Sequence, residues 1–350
     1  MKYKVSIILP CYNVAPYIET AIKSILKQTF KNYEVIFIND GSTDKTLNII
    51  EKYCSSDNFN VYSYCNQGVA QARNEGIALA KGEYLFFMDP DDYIDERLLE
   101  TALNACEKFH ADAVQFHYEC DGTAFNGNKG SAVFDGSQIL DDLLPRFIGY
   151  SNKDIQKFGT PEFYDSNEWA AVWRFLFKTS LVKENLLLFP RGVKMSEDRF
   201  FILLFFCYAQ RVVTIENKLY HYIIHPNGCM TQGLINPKSL LKNKIDGVVE
   251  RGKLRNLLMG RHKRDVFSLY SGSLSLSCLE LFVKLSYSDF IPGWKGIREY
   301  LRFGDVKKAI RQTIKNAPPK VKIPLLCIRC HLGFFMFSIL WLIHFFRSSK

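Results

Sequence analysis

Short apolar runs alternate with helical spacing through the first third of the chain. Residues 5–9, 35–38, 61–64, 84–88 and 113–117 are rich in Val, Ile, Phe and Leu and predict buried strands. Between them, residues 16–28 place Ile18, Ile22, Ile25 and Leu26 on one helical face. Residues 40–44 form a turn that opens a helix running to about residue 53, and residues 68–80 and 95–109 predict two more helices. Strand–helix alternation of this kind implies right-handed crossovers and an α/β fold with a mostly parallel sheet flanked by helices.

The pattern loosens after residue 118. Residues 121–136 are rich in Gly, Asn and Ser and predict a loop or hairpin, and residues 149–168 predict a polar, flexible stretch. Residues 169–188 return to an apolar helical pattern, and residues 197–208 predict a very apolar helix behind an acidic pair. Residues 212–215 and 218–224 predict two short strands, and 240–258 and 268–285 predict helices.

Composition adds three points. The 350 residues suit one large domain with an appendage, or two domains. The ten cysteines follow no regular framework, and several fall inside predicted elements, which fits reduced cytosolic thiols. The apolar run at residues 5–9 meets Pro10 at once and is too short for the core of a secretion signal.

The net charge of +9 gathers toward the C-terminus, where residues 305–322 are basic and residues 323–346 are dominated by Leu, Phe, Ile and Trp. The uninterrupted piece, 332–343, is short of the roughly 20 apolar residues a spanning helix needs. A basic helix followed by an aromatic-rich one predicts an interfacial anchor on an anionic membrane surface. Packing on the domain or in a homo-oligomer is the competing use of the same apolar helix.

Candidate chemistry gathers where strands end. The run at residues 84–88 leads into Asp89-Pro90-Asp91-Asp92. Clustered carboxylates at the carboxyl edge of an open sheet lie where such sheets bind ligands, and their mutual repulsion calls for a cation. The first strand ends in Pro10-Cys11-Tyr12-Asn13 and the second in Asn39-Asp40-Gly41-Ser42, at the same predicted edge. Arg73 lies on the helix opened by Gly68, where a cation can offset donor phosphates or pair with a local carboxylate.

These segments together resemble the family 2 glycosyltransferases of GT-A fold. The resemblance runs from Val5-Ser6-Ile7-Ile8-Leu9-Pro10 through Asn39-Asp40-Gly41-Ser42 and Gln71-Ala72-Arg73-Asn74 to the Asp89 cluster, and covers residues 4 to about 117. It implies a nucleotide-sugar donor, most simply a UDP-sugar. Asp40 is then expected at the base, Pro10, Tyr12 and Asn13 along the nucleotide, and Arg73 beside the diphosphate or base. Asp89 is expected at the ribose, and Asp91 on Mn2+ or Mg2+ against the diphosphate. Asp92 is left between a supporting role and a helix cap.

The family inverts the sugar's anomeric centre, which requires a base on the acceptor side. The pair Glu197-Asp198 resembles the family's acidic pair, and Asp198 is the expected base. Tyr220-His221-Tyr222 and His225-Pro226-Asn227-Gly228 resemble its closing strand and loop. Ile223 stands where Arg is common, so His225 is expected to contact the diphosphate or to cover the site.

The expected organisation is a donor-binding half (1–117), an acceptor-side half (118–230), a helical basic extension (231–322) and an apolar membrane-associating helix (323–350). The expected activity is transfer of one sugar to a hydroxyl of a glycan or lipid-linked acceptor in surface polysaccharide synthesis, at the cytoplasmic face of the membrane. No nucleic-acid partner is expected. A Gln-x-x-Arg-Trp motif of processive synthases is absent. The rival reading is a non-catalytic nucleotide-sugar-binding or membrane-docked assembly subunit; the retained acids Asp40, Asp89, Asp91 and Asp198 argue against it. Cys327-Ile328-Arg329-Cys330-His331 matches a haem-attachment pattern but stands alone.

Overall fold

The computed structural model describes residues 3–54, 57–120, 123–124, 130–193, 195–225, 237–287, 289–330 and 332–348. The chain divides into two compact units, Met1–Leu144 with Ala170–His225, and Pro145–Trp169 with Pro226–Lys350.

The first unit is built on a ten-stranded mixed sheet. Its strands are β1 (Tyr3–Cys11), β2 (Tyr33–Asp40), β3 (Phe59–Tyr64), β4 (Gly82–Phe87), β5 (Tyr93–Ile94), β6 (Ala113–Cys120), β7 (Thr123–Ala124), β8 (Ala132–Asp135), β9 (Phe175–Lys178) and β10 (Arg211–Tyr222). The main order is β3-β2-β1-β4-β9-β6-β10-β5. On one side β3, β2, β1 and β4 are all parallel, as the alternation implies, with Ile7 level with Val35 and Phe86. Residues 5–11 of β1 and all of β2 are buried, the expected state of parallel strands covered on both faces.

The covering helices include α1 (Ile18–Leu26), α2 (Thr46–Glu51), α3 (Val69–Leu79) and α4 (Leu98–Phe109). Gly76 lets α3 lie close on β1, because a Cβ there would overlap Ile8 Cγ2.

Three predicted elements differ. Residues 169–188 fold as a 3-10 turn (Val172–Arg174), the strand β9 and a short helix (Thr179–Glu184) instead of one helix. β9 pairs antiparallel with both β4 and β6, which makes the sheet mixed. Its residues Phe175, Leu176 and Phe177 are all buried, and so short an apolar run fits either period. The two strands predicted over residues 212–224 are one strand, β10, which keeps its parallel pairing with β6 across an irregularity between Thr214 and Tyr220, where Glu216 and Asn217 are exposed. Residues 149–168 carry helices Asn152–Gln156 and Pro161–Tyr164, the first closed by a capping box of Ser151 and Asp154.

Residues 121–136, predicted as a loop or hairpin, carry the short strands β7 and β8, which pair with β6 and β10 respectively; residues 121–122 and 125–129 lie outside the described residues. Pro226, Asn227, Gly228 and His331 also lie outside them.

The second unit is helical. Helices Phe267–Leu285 and Gly304–Asn316 pack with Asn152–Gln156 around a small buried polar seam. There Thr313 Oγ1 donates to Asn152 Oδ1 at 2.6 Å and lies 2.8 Å from Ser275 Oγ. The last helix, Gly333–Ser348, packs Phe334, Phe337 and Trp341 against Phe290, with Phe334 and Phe337 also against Trp294.

The α3–β1 contact predicts that Gly76→Ala lowers stability by about 1–3 kcal/mol through overpacking. A urea titration measures this; an unchanged midpoint would show that Ile8 yields freely.

Candidate functional site

The carboxyl ends of β1, β2 and β4 deliver their loops to one edge of the sheet. Two of these loops hold each other. Asn13 sits at φ 52°, and its side-chain oxygen accepts from the Thr43 and Asp44 amides at 2.8 and 3.3 Å. Ser42 and Thr46 hydroxyls accept from the Asn13 and Val14 amides. Pro10 is buried at the end of β1, while Tyr12 beside it is half exposed.

Asp40 is buried at the end of β2, and its two oxygens accept from the Gln67 and Gly68 amides, both at 2.8 Å. A carboxylate there faces the amino end of α3, a favourable place for negative charge. Asp40 therefore fixes the loop ahead of α3. Gly41 permits this path: its φ is +75°, and a Cβ would come within 2.8 Å of the Asn66 amide nitrogen.

The centre of the arrangement is Arg73 on α3. Its side chain is 3% exposed. Nη2 donates to Asp89 Oδ1 at 3.0 Å, and Nη1 donates to Asp198 Oδ1 at 2.6 Å and Glu197 Oε1 at 3.1 Å. The guanidinium also lies over the Phe189 ring, 5.3 Å from its centroid. Asn74, next in sequence, exchanges two hydrogen bonds with the Phe189 backbone. One turn of helix thus anchors the stretch that leads into helix Glu197–Phe206.

Of the two uses open to Arg73 in the sequence, offsetting donor phosphates or pairing with a local carboxylate, the structure displays the second: the side chain joins Asp89 to the Glu197-Asp198 pair.

Three carboxylates around one guanidinium leave an excess of negative charge. Burial raises the Glu197 pKa to about 8, with the Asp198 charge adding and Arg73 opposing. Burial also raises that of Asp198, against the pull of Arg73. The second Asp198 oxygen accepts the Val172 amide at 3.1 Å, so the carboxylate is held at both ends.

The Asp89 turn is shaped by Tyr220, which sequence reading placed in the closing strand without a role at the site. Its hydroxyl accepts from the Asp89 amide at 3.1 Å and donates to Asp92 Oδ2 at 2.7 Å. The other Asp92 oxygen accepts the Ile223 amide at 2.8 Å. Asp92 is 1% exposed and ties β10 to the turn, which settles the role left open above: it supports the turn. Trp173 stacks on both Tyr220 and Tyr222 and completes this wall.

Asp91 is the most open of the three acids, its side chain 37% exposed against 29% for Asp89. Burial, then the charge of Asp89, raises its pKa to about 6. His225 Nε2 stands 3.8 Å from Asp91 Oδ2, with its ring 4.1 Å from that of Tyr17. Among the described residues no three His, Cys, Asp or Glu side chains form a closed metal centre. The donor set still fits a hard divalent ion: an accessible carboxylate lies beside a surplus of negative charge. Mg2+ commonly takes one or two protein carboxylates and completes its shell with phosphate oxygens and water.

Comparison with known proteins follows the same segments. Residues 6–180 match the family described as Glycosyl transferase family 2. The uncharacterized glycosyltransferase EpsJ of Bacillus subtilis is 32% identical over 228 residues, covering 64% of this chain and 62% of EpsJ. The poly(ribitol-phosphate) beta-N-acetylglucosaminyltransferase TarS of Staphylococcus aureus is 28% identical over 240 residues, 67% of this chain and 38% of TarS. The chain thus spans about three fifths of EpsJ and under two fifths of TarS. The crystal structure of S. aureus TarS 1–349 in complex with UDP-GlcNAc has a TM-score of 0.65 and 22% identity, covering 99% of this chain and 92% of that one. At that identity the likeness shows the shared GT-A fold.

The raised Glu197 pKa generates a prediction. In the unfolded chain Glu titrates near about 4.3. Between that value and about 8 the folded state holds a proton the unfolded state has lost, so this group's contribution to stability declines as pH rises. Glu197→Gln should flatten the fall in urea midpoint between pH 5 and pH 8. An unchanged slope would place the proton elsewhere.

Proposed function

The chain belongs to glycosyl transferase family 2, and on that footing we propose that it is an inverting hexosyltransferase. It moves one sugar from a nucleotide diphosphate, most simply UDP, to a hydroxyl of a glycan or lipid-linked acceptor in surface polysaccharide synthesis. A lipid-linked acceptor brings the enzyme to the inner face of the cell membrane. The donor class is supported by the fold shared with the TarS structure that holds UDP-GlcNAc. The polymer acceptor is supported by the similarity to TarS, whose name describes a poly(ribitol-phosphate) transferase.

The observation that carries the reading is the Arg73 cluster. It joins Asp89, at the edge where the donor is expected, to Asp198, the expected base. In this reading Asp89 meets the ribose, while Pro10, Tyr12, Asn13 and Asp40 shape the nucleotide pocket. His225 closes over the diphosphate, and Asp91 holds Mn2+ or Mg2+. The ion's chemistry is to neutralise charge on the departing nucleoside diphosphate.

Asp198 takes the acceptor hydroxyl proton as that oxygen bonds to the anomeric carbon and the bond to the diphosphate breaks. Its two hydrogen bonds fix the carboxylate's direction, and burial together with the Asp89 charge keeps it basic. Glu197 supports the base through their common contact with Arg73.

A screen of UDP- and GDP-sugars by nucleotide release identifies the donor. With it in hand, Asp198→Asn should lower kcat by about 100-fold or more, the usual scale for a lost general base, with UDP affinity nearly unchanged. Loss of UDP binding instead would move Asp198 to the donor site. Asp91→Ala should abolish the stimulation of transfer by Mn2+ or Mg2+; intact stimulation would remove Asp91 from the metal.

A further inference from the structure

The last two helices and the charge around them suit a surface other than water. The final 45 residues, 306–350, contain nine Lys and Arg and no Asp or Glu. The first 305 therefore hold 36 of each sign, so the whole net charge of +9 resides in this segment.

The structure sorts these residues by face. Helix Gly304–Asn316 buries Val306, Ile310 and Ile314, and it exposes Lys307, Lys308, Arg311 and Lys315. Helix Gly333–Ser348 turns Phe337 inward, fully buried against Phe282, Phe290 and Trp294. Its opposite face exposes Phe335 (64%), Ile339 (58%), Leu342 and Ile343, at helical spacing. Helix Pro319–Arg329 adds exposed Ile323 together with Lys320 and Arg329. A contiguous exposed apolar face of this kind marks an interaction surface.

Length and shape exclude a simple span. No single helix among the described residues is long and apolar enough to cross a membrane, and Pro319–Arg329 meets the following helix at a bend of 118°. A 16-residue helix is about 24 Å long, short of the roughly 30 Å hydrocarbon core. Its inner face is also already occupied by the aromatic side chains of its own unit.

We propose that this bent pair docks in the plane of an anionic phospholipid surface. Phe335, Ile339, Leu342 and Ile343 enter the boundary between headgroups and acyl chains, and the basic residues neutralise the lipid phosphates. The charge pattern selects this occupant: a second copy would bring nine more positive charges against nine, whereas an anionic leaflet offers opposite charge. The proposal does not depend on the transferase reading, because nucleotide release from a soluble donor needs no bilayer.

Sedimentation of the full-length chain with vesicles tests it. The chain should pellet with phosphatidylcholine vesicles containing phosphatidylglycerol, and much less with phosphatidylcholine alone or in high salt. Phe335→Ser with Ile339→Ser, and separately Arg311→Glu with Lys315→Glu, should each lower partitioning by about tenfold or more. All four side chains are exposed, so thermal melts should be unchanged; if one pair alters the melt, the other pair decides. Absence of binding to anionic vesicles, or binding that neither pair weakens, would overturn the proposal. So would a soluble oligomer that ignores vesicles and dissociates in the double-serine variant, since a second copy would then cover the face.

Discussion

A single buried guanidinium holds three carboxylates from two distant parts of the chain. Arg73 comes from α3, Asp89 from the end of β4, and Glu197 and Asp198 from the start of a helix more than a hundred residues later. Burying one cation without partners is costly, and so is burying the acids without it. The arrangement is therefore all or none. It gives the distant acidic pair one place to dock, and Asn74 secures the approach by clamping the Phe189 backbone.

The same cluster explains the site's electrostatics. One positive charge cannot satisfy three negative ones in a place that excludes water, so protons are retained where ordinary carboxyls would lose them. Two remedies remain for the excess: a proton, or a cation brought with the substrate. In the acidic turn Asp89 is paired with Arg73 and Asp92 is spent on Tyr220 and Ile223, while Asp91 is the most exposed of the three. Adjacent acids in one turn thus diverge because one faces solvent and the other a buried hydroxyl.

Much of this was legible before any coordinates. The parallel strands β1, β2 and β4 announce themselves because both faces are covered and apolar residues dominate their middles, as in Ile7-Ile8-Leu9 and Val35-Ile36-Phe37-Ile38. Asp40, Asp89 and Asp91 follow from asking what stands at the ends of such strands. Asp198 was legible only through family resemblance, since an acidic pair at a helix start is also ordinary capping. What stayed hidden depends on long-range partners. The run Phe175-Leu176-Phe177 is apolar throughout, so its period cannot choose strand over helix; the gap between β4 and β6 chooses. Arg73 reads on its own as a surface or phosphate-binding residue, and only the arrival of Glu197 and Asp198 turns it inward. Tyr220 carries no local sign that its hydroxyl bridges Asp89 and Asp92.

The central claim is that the acid held by Arg73 opposite Asp89 takes the acceptor's proton during one direct displacement at the anomeric carbon. The stereochemistry of the first-formed product tests this most directly. With an α-linked nucleotide sugar as donor, proton NMR of the product should show the anomeric signal of a β-glycoside. An α-glycoside would mean retention, and would contradict a single displacement driven by Asp198.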